Sequence, residues 1–574
     1  MRSIRGPEPR ARRCVLALLG ALLTACPALP DGPRYRGAGN TQPVRGGTLM
    51  MWEEARVRML DPHAAFDEIS GVLIRMLFDS LYSYDYALKL VPAIASALPT
   101  ISADGRTLTV PIRRGVRFHN GRVLTARDVV WSFERMLHPD LNSPGAPYYR
   151  AIVGLTAYRA KRAPHIAGLS APDEHTFRIE LTRPDQSFAF TLAMRFASPL
   201  AREEVERPGA DMKRRPVGQG PFRLVTWDPG VRLVLERHRR YYDPERPYLD
   251  SVVFEEGLKR DTAFMRFRNG EVDIVPRMSP ADTMFVRSGG FQAFSGLGPQ
   301  ADVYGFFLNV ELAPFDNVHI RRAVAFAIDR ERWARARNGA IRPAGQLLPP
   351  KVMGHDTALP HLQYFDLARA KAEMAAAGHP DGLDEPVTLW TSDGSTARLY
   401  GQLLQADLSK IGIEVQIKSV SFPVYLEETG KPKTAQMVSG GWVMDFPDPS
   451  NFLNLVSSAA RSEHDSINKS FYSDPKLDAL LDRAIVERDA VARAAMYREA
   501  NDFVAEAAPW AFFCNTQAMQ AWQPYVKGFR PHPAYWLAIN DVWLDLPRKR
   551  IAQAGRRDAL QRPTGVLPLL WGGP

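Results

Sequence analysis

Gly440-Gly441-Trp442-Val443-Met444-Asp445-Phe446-Pro447-Asp448-Pro449-Ser450-Asn451-Phe452 sets an aromatic face and a carboxylate three residues apart, on a backbone that two glycines free and two prolines stiffen. The stretch reads as a poor core strand. It reads instead as a rim, with Trp442 and Asp445 complementing a small molecule that has an apolar part and a cationic group. An ordinary buried turn has much the same composition, so the rest of the chain has to decide between the two readings.

The N-terminus places the protein. Arg2, Arg5, Arg10, Arg12 and Arg13 precede the apolar run from Cys14 to Leu23, and Leu23-Thr24-Ala25-Cys26 closes it. A basic start, a short apolar centre and small residues before a cleavage point make a secretory signal, and the run is too short to span a bilayer. Those last four residues resemble the processing box of bacterial lipoproteins, so residues 1–25 are expected to be removed and Cys26 to carry lipid. The surroundings of Arg12-Arg13 fit twin-arginine export poorly. The mature body is therefore expected outside the cytoplasm, lipid-anchored, in the periplasm or on the outer face of the cytoplasmic membrane. Residues 26–44, rich in Pro, Gly and Arg, read as a tether.

Charge and cysteine content exclude several functions. Residues 1–25 hold five Arg against one Glu, and residues 548–574 hold six Arg or Lys against one Asp, which leaves +1 of the formal +10 for everything between. The basic pI thus belongs to the ends and gives no ground for a nucleic-acid surface. Two readings stand for the tail of residues 548–574: disorder, and contact with anionic lipid. Cys514 is the one cysteine of the folded part, too few for a disulfide or a cysteine metal site, and reads as a buried filler beside Phe512 and Phe513. His119, His175, His319 and His464 lack metal spacing, no His-Glu-x-x-His or Gly-x-Ser-x-Gly occurs, and Gly218 with Gly220 lacks the spacing of a phosphate loop. No metal, cofactor or enzymatic activity is expected.

With 574 residues the body is too long for one core. Ile69 to Tyr84 reads as a helix with Val72, Leu73, Met76, Leu77 and Leu81 on one face. Residues 107–112 and 174–181 alternate as strands, and Thr125 with Asp128 makes a capping box ahead of a helix that buries Val129, Phe133, Met136 and Leu137. From residue 365 onward helices (366–377, 399–411) alternate with strands (387–390, 413–417), the α/β signature of a mostly parallel sheet.

Four separated blocks then coincide with one family: residues 114–129, Pro216-Val217-Gly218-Gln219-Gly220-Pro221-Phe222, Leu308-Asn309 with residues 322–329, and residues 441–449. In this order they resemble the peptide/nickel family (family 5) of extracytoplasmic solute-binding proteins of ABC transporters, of the oligopeptide- and dipeptide-binding type. The resemblance implies an α/β, two-lobe periplasmic-binding-protein fold, class II-like and of cluster C, with an extra inserted domain. It places lobe I at residues 45–78, 204–302 and 513–547, the inserted domain at 79–203 and lobe II at 303–512. It implies a monomeric receptor that encloses a peptide-like solute between its lobes and delivers it to permease subunits served by a separate ATPase.

By the same resemblance Asp445 takes the peptide's α-ammonium, with Trp442 and Gly441 beside it. Asp448 is either a second ligand carboxylate or the cap of the turn made by Pro447 and Pro449. The residue for the ligand's carboxylate is not identified. The alternatives are a non-peptide ligand on the same fold (sugar, opine, nickel chelate or haem) and a membrane-anchored scaffold without ligand.

Overall fold

The computed structural model describes residues 42–550 except 208, 210, 289, 290, 292, 293, 300 and 358–362. The expected signal, Cys26, most of the tether and the tail beyond residue 550 lie outside the described residues.

The first lobe is built on a four-stranded sheet. Thr48–Glu53 runs parallel to Ser251–Glu256, and Arg232–Arg237 and Phe222–Asp228 continue the sheet antiparallel. The helix Glu68–Leu77, whose first turn is capped by the Asp67 carboxylate, buries Val72, Leu73, Met76 and Leu77 in the same core. Periodicity carried this helix on to Tyr84, but it stops at Leu77. The Leu77 carbonyl accepts the Gly220 N–H at 2.9 Å, and Phe78 turns to extended backbone. A Cβ at Gly218 would sit 2.0 Å from that carbonyl oxygen, so the two glycines serve close backbone packing. Leu81 belongs to a different core, which runs from Leu81 to Ala201.

That second core fills the inserted domain. Its antiparallel sheet has the order Thr100–Ile101, Thr107–Pro111, Thr176–Glu180, Leu169–Asp173. The helix Ala126–Leu137 lies across it with Val129, Phe133, Met136 and Leu137 all buried. Asp128 accepts the Thr125 N–H at 2.8 Å and pairs with Arg122 at 2.8 Å, which fixes the start of this helix. Phe446, remote in sequence, is buried in the same core.

The second lobe is a larger sheet in the order Val415–Val420, Val387–Ser392, Met437–Val443, Asp302–Leu308, Trp510–Trp522. The first three strands are parallel and the others antiparallel to their neighbours. Residues 440–443, read from sequence as a poor core strand, therefore lie in a central one. The reason is clearance for rings. Gly441 stands opposite Tyr304, where a Cβ would come within 2.4 Å of the ring, and a Cβ on Gly440 would come within 3.0 Å of Phe307. Neither glycine has a positive φ, so neither is there for backbone freedom.

Trp510–Trp522 spans both lobes. Its first half pairs with Asp302–Leu308 and Ile341–Pro343, and its second half with Ser295–Pro299 and Ile274–Val275. Ser295–Pro299 and Asp302–Leu308 cross beside it, and Asp302 clasps the crossing. Its carboxylate accepts the Thr516 N–H at 2.7 Å and the Thr516 hydroxyl, while Asn515 donates to the Asp302 carbonyl. At the far end the fold runs past the expected limit at residue 547. Lys549 is buried and donates to Asp273 and to the Thr48 carbonyl, each at 2.7 Å, because the buried Asp273 carboxylate needs a cation.

Burial pushes the Asp302 carboxyl up to about 7, against the pull of the two Thr516 hydrogen bonds. The folded state then holds a proton that the unfolded chain has released near pH 4, so this group's contribution to stability is complete below about pH 4 and is lost as pH rises through 7. Urea unfolding at stepped pH should show a steeper loss of stability between pH 4 and 7 in the native protein than in Asp302→Asn. Equal slopes would contradict the assignment.

Candidate functional site

Between the inserted domain and the second lobe lies a cavity of about 1140 Å³, walled by residues 144–191 on one side and 442–485 on the other. Trp442, Phe446, Tyr148 and Phe66 give it an aromatic lining. A wall of this kind offers much apolar area with a few fixed polar groups, the usual character of a small-molecule site.

Asp445 is held immediately behind this wall. Its carboxylate accepts the Tyr148 hydroxyl at 2.7 Å and the Asn451 side-chain N–H at 3.2 Å. Asn451 uses its carbonyl oxygen twice more, accepting the Asp445 N–H at 3.0 Å and the Trp442 indole N–H at 3.1 Å. One amide thus fixes both residues that the sequence reading paired. Tyr148, Trp442 and Asn451 line the large cavity, while Val443 and Met444 line a second of about 40 Å³, so Asp445 stands in the partition between the two. Among the described residues no Lys or Arg pairs with it directly. Burial raises its carboxyl, the hydrogen bonds from Tyr148 and Asn451 lower it, and the field of Arg195 lowers it further. A carboxylate desolvated this far, with hydrogen-bond donors but no directly paired cation, is arranged to gain from a cationic ligand.

The other residues read from sequence have different duties. Asp448 is buried, bonded to Arg493 at 2.7 Å and accepting the Ser450 N–H at 3.0 Å and the Ser450 hydroxyl at 2.7 Å, and it lines neither cavity. It caps the turn, as one of the two readings had it, and also ties that turn to the helix Ala490–Ala507 through Arg493. Gly441 lines neither cavity, and its missing side chain makes room for Tyr304. Trp442 does face the large cavity. Tyr148 and Asn451 were missed. Asn451 lay inside the quoted stretch, but Tyr148 approaches from 297 residues away and no local pattern marks it.

Among the described residues no group of three or more His, Cys, Asp or Glu is placed to hold a metal ion. His119, half-buried and edge-on to His238 at 4.9 Å, is pinned between the Gly218 N–H and the Gly220 carbonyl, and desolvation holds it neutral by lowering its pKa to about 3.

Residues 89–464 match the family described as bacterial extracellular solute-binding proteins, family 5 Middle. The chain is 26% identical over 490 residues to the glutathione-binding protein of Pectobacterium atrosepticum, covering 84% of this chain and 91% of that one. It is 29% identical over 477 residues to heme-binding protein A of Haemophilus influenzae, covering 79% and 84%. The solved structure of clavulanic acid biosynthesis oligopeptide binding protein 2 superposes with a TM-score of 0.81 at 28% identity, covering 90% of this chain and 98% of that one.

The contrast between the two aspartates can be measured. Asp448→Ala leaves Arg493 buried without its partner and should cost about 3 to 5 kcal/mol of folding stability in urea unfolding. Asp448→Ala with Arg493→Met should recover most of that loss. An unchanged midpoint in the single variant would contradict the structural role.

Proposed function

The chain belongs to family 5 of the bacterial extracellular solute-binding proteins, and from that premise we propose that it is a lipid-anchored receptor for peptides or peptide-like cationic solutes. As a member of the family it is an extracytoplasmic, non-catalytic receptor that delivers a small ligand to an ABC permease. The ligand class and the anchor at Cys26 are our reading.

The observation that carries the ligand class is the Asp445 carboxylate, desolvated and hydrogen-bonded but with no directly paired cation among the described residues. A ligand ammonium entering beside Trp442 supplies the missing charge, and the Tyr148 hydroxyl is the group it displaces or joins. The indole and phenyl rings around the site screen the pair from water and strengthen it. The chain's similarity to proteins named for glutathione and oligopeptide binding supports the same reading. Capture by closure of the two lobes would turn on the crossing at Asp302 and Thr516.

A second reading, haem or another bulky non-peptide ligand, draws on one relative's name and on the aromatic wall of the large cavity. The charge at Asp445 separates the two. Asp445→Asn keeps acceptors for Tyr148 and Asn451 and removes the anion, so binding of trialanine measured by calorimetry should weaken by about 3 to 5 kcal/mol. Affinity within about twofold of the native protein would remove the ammonium pairing.

A further inference from the structure

Outside the expected signal, the excess positive charge of this chain collects in two stretches, and the fold brings them out side by side. Gly46 donates to the Tyr248 carbonyl at 2.8 Å, and Asp250 donates to the Gly47 carbonyl at 3.0 Å, so the tether enters the first lobe at one end of its sheet. The strand Thr48–Glu53 starts there, and the Thr48 carbonyl accepts the Lys549 ammonium at 2.7 Å. A Cβ at Gly47 would come within 2.7 Å of the Leu546 side chain and 3.0 Å of that of Leu544. The chain beyond residue 550 therefore leaves the lobe within a few residues of the point where the tether arrives.

Both stretches are basic. Residues 27–45 hold Arg34, Arg36 and Arg45 against Asp31, and residues 550–574 hold Arg550, Arg556, Arg557 and Arg562 against Asp558. The acids at this end of the lobe are largely engaged by other cations: Asp250 by Arg237 at 3.2 Å, Asp541 by Arg246 at 2.7 Å, Asp545 by Arg548 at 3.3 Å and Asp273 by Lys549 at 2.7 Å. Glu245 and Arg550 are exposed and make no ion pair among the described residues. Residues 563–574 carry no charged side chain and include Val566-Leu567-Pro568-Leu569-Leu570-Trp571. That run is too short to cross a bilayer, and a tryptophan beside leucines, following a basic stretch, is the composition of a segment that lies among lipid headgroups. An acidic protein surface would engage the arginines alone. A bilayer with anionic headgroups takes both the arginines and the apolar run.

We propose that residues 550–574 are a second membrane contact, which binds anionic phospholipid headgroups through Arg550, Arg556, Arg557 and Arg562 and seats residues 566–571 at the interface. Because this segment and the tether leave the same end of the first lobe, the contact holds that end toward the membrane, whereas a tether alone leaves the lobe free to turn. The proposal depends neither on the ligand at Asp445 nor on lipid at Cys26.

The test is flotation of the chain from residue 27 to 574, purified without lipid, with vesicles of phosphatidylethanolamine and phosphatidylglycerol and with vesicles of phosphatidylcholine alone. The native sequence should bind the phosphatidylglycerol vesicles about tenfold or more tightly than phosphatidylcholine, and lose that preference in about 1 M salt, which screens the headgroup charge. The combined variant Arg556→Ser, Arg557→Ser, Arg562→Ser should lose about tenfold or more on the same vesicles with its melting temperature unchanged, and Leu570→Ser with Trp571→Ser should also weaken binding. No anionic preference in the native sequence, or a preference that the arginine variant keeps, overturns the proposal. A lowered melting temperature in the arginine variant assigns those side chains to the fold and overturns it as well. Binding that Leu570→Ser with Trp571→Ser leaves unchanged points to an acidic protein surface and overturns the membrane assignment.

Discussion

The amide of Asn451 is the contact on which the candidate site depends. It accepts from the Trp442 indole and from the Asp445 backbone, and donates to the Asp445 carboxylate. Those three bonds turn a loop after the end of a strand into a fixed pair, an aromatic plane and an anion with one relative orientation. An unheld loop would have to be ordered on binding, at a cost of about 0.5–1.5 kcal/mol per immobilised side chain. Asp448 anchors the same turn from behind through Arg493, so the loop is tied both to its own strand and to the helix Ala490–Ala507.

The loop also reaches out of its lobe. Phe446 is buried in the core of the inserted domain, and it meets the Tyr148 ring edge-on at 6.1 Å. Tyr148 in turn meets Asp445. The carboxylate is thus a joint of two bodies, and a ligand that engages it acts on the contact between them as well as on its own pocket. The crossing of Ser295–Pro299 and Asp302–Leu308 with Trp510–Trp522, clasped by Asp302 and Thr516, links the two lobes. Asp302 pairs in register with Val443, so the clasp and the binding loop share a strand neighbour.

Much of this fold was legible in the sequence wherever local rules decide the structure. The strands read at 387–390 and 413–417 and the helix read at 399–411 correspond to Val387–Ser392, Val415–Val420 and Ser395–Leu408, with ends shifted by up to four residues, and the stripe of Ala126–Leu137 was read residue by residue. Errors fell where a distant group overrides local preference. The helix ending at Leu77 was drawn too long because the N–H that donates to its last carbonyl, that of Gly220, lies far along the chain. Residues 440–443 were taken for a rim because glycine suggests a flexible backbone, whereas here it admits Tyr304 and Phe307 from a neighbouring strand. At the site, Trp442 and Asp445 could be named because they are three apart, and Tyr148 could not because only the tertiary fold brings it there.

The central claim is that the cleft holds a short peptide by its ammonium, and native mass spectrometry of the protein purified without refolding tests it most directly. Ligand enclosed between two lobes survives purification when it dissociates slowly. The account predicts a mixed set of added masses that fragment as short peptides. A single porphyrin mass, or a metal isotope pattern in place of peptides, would contradict it.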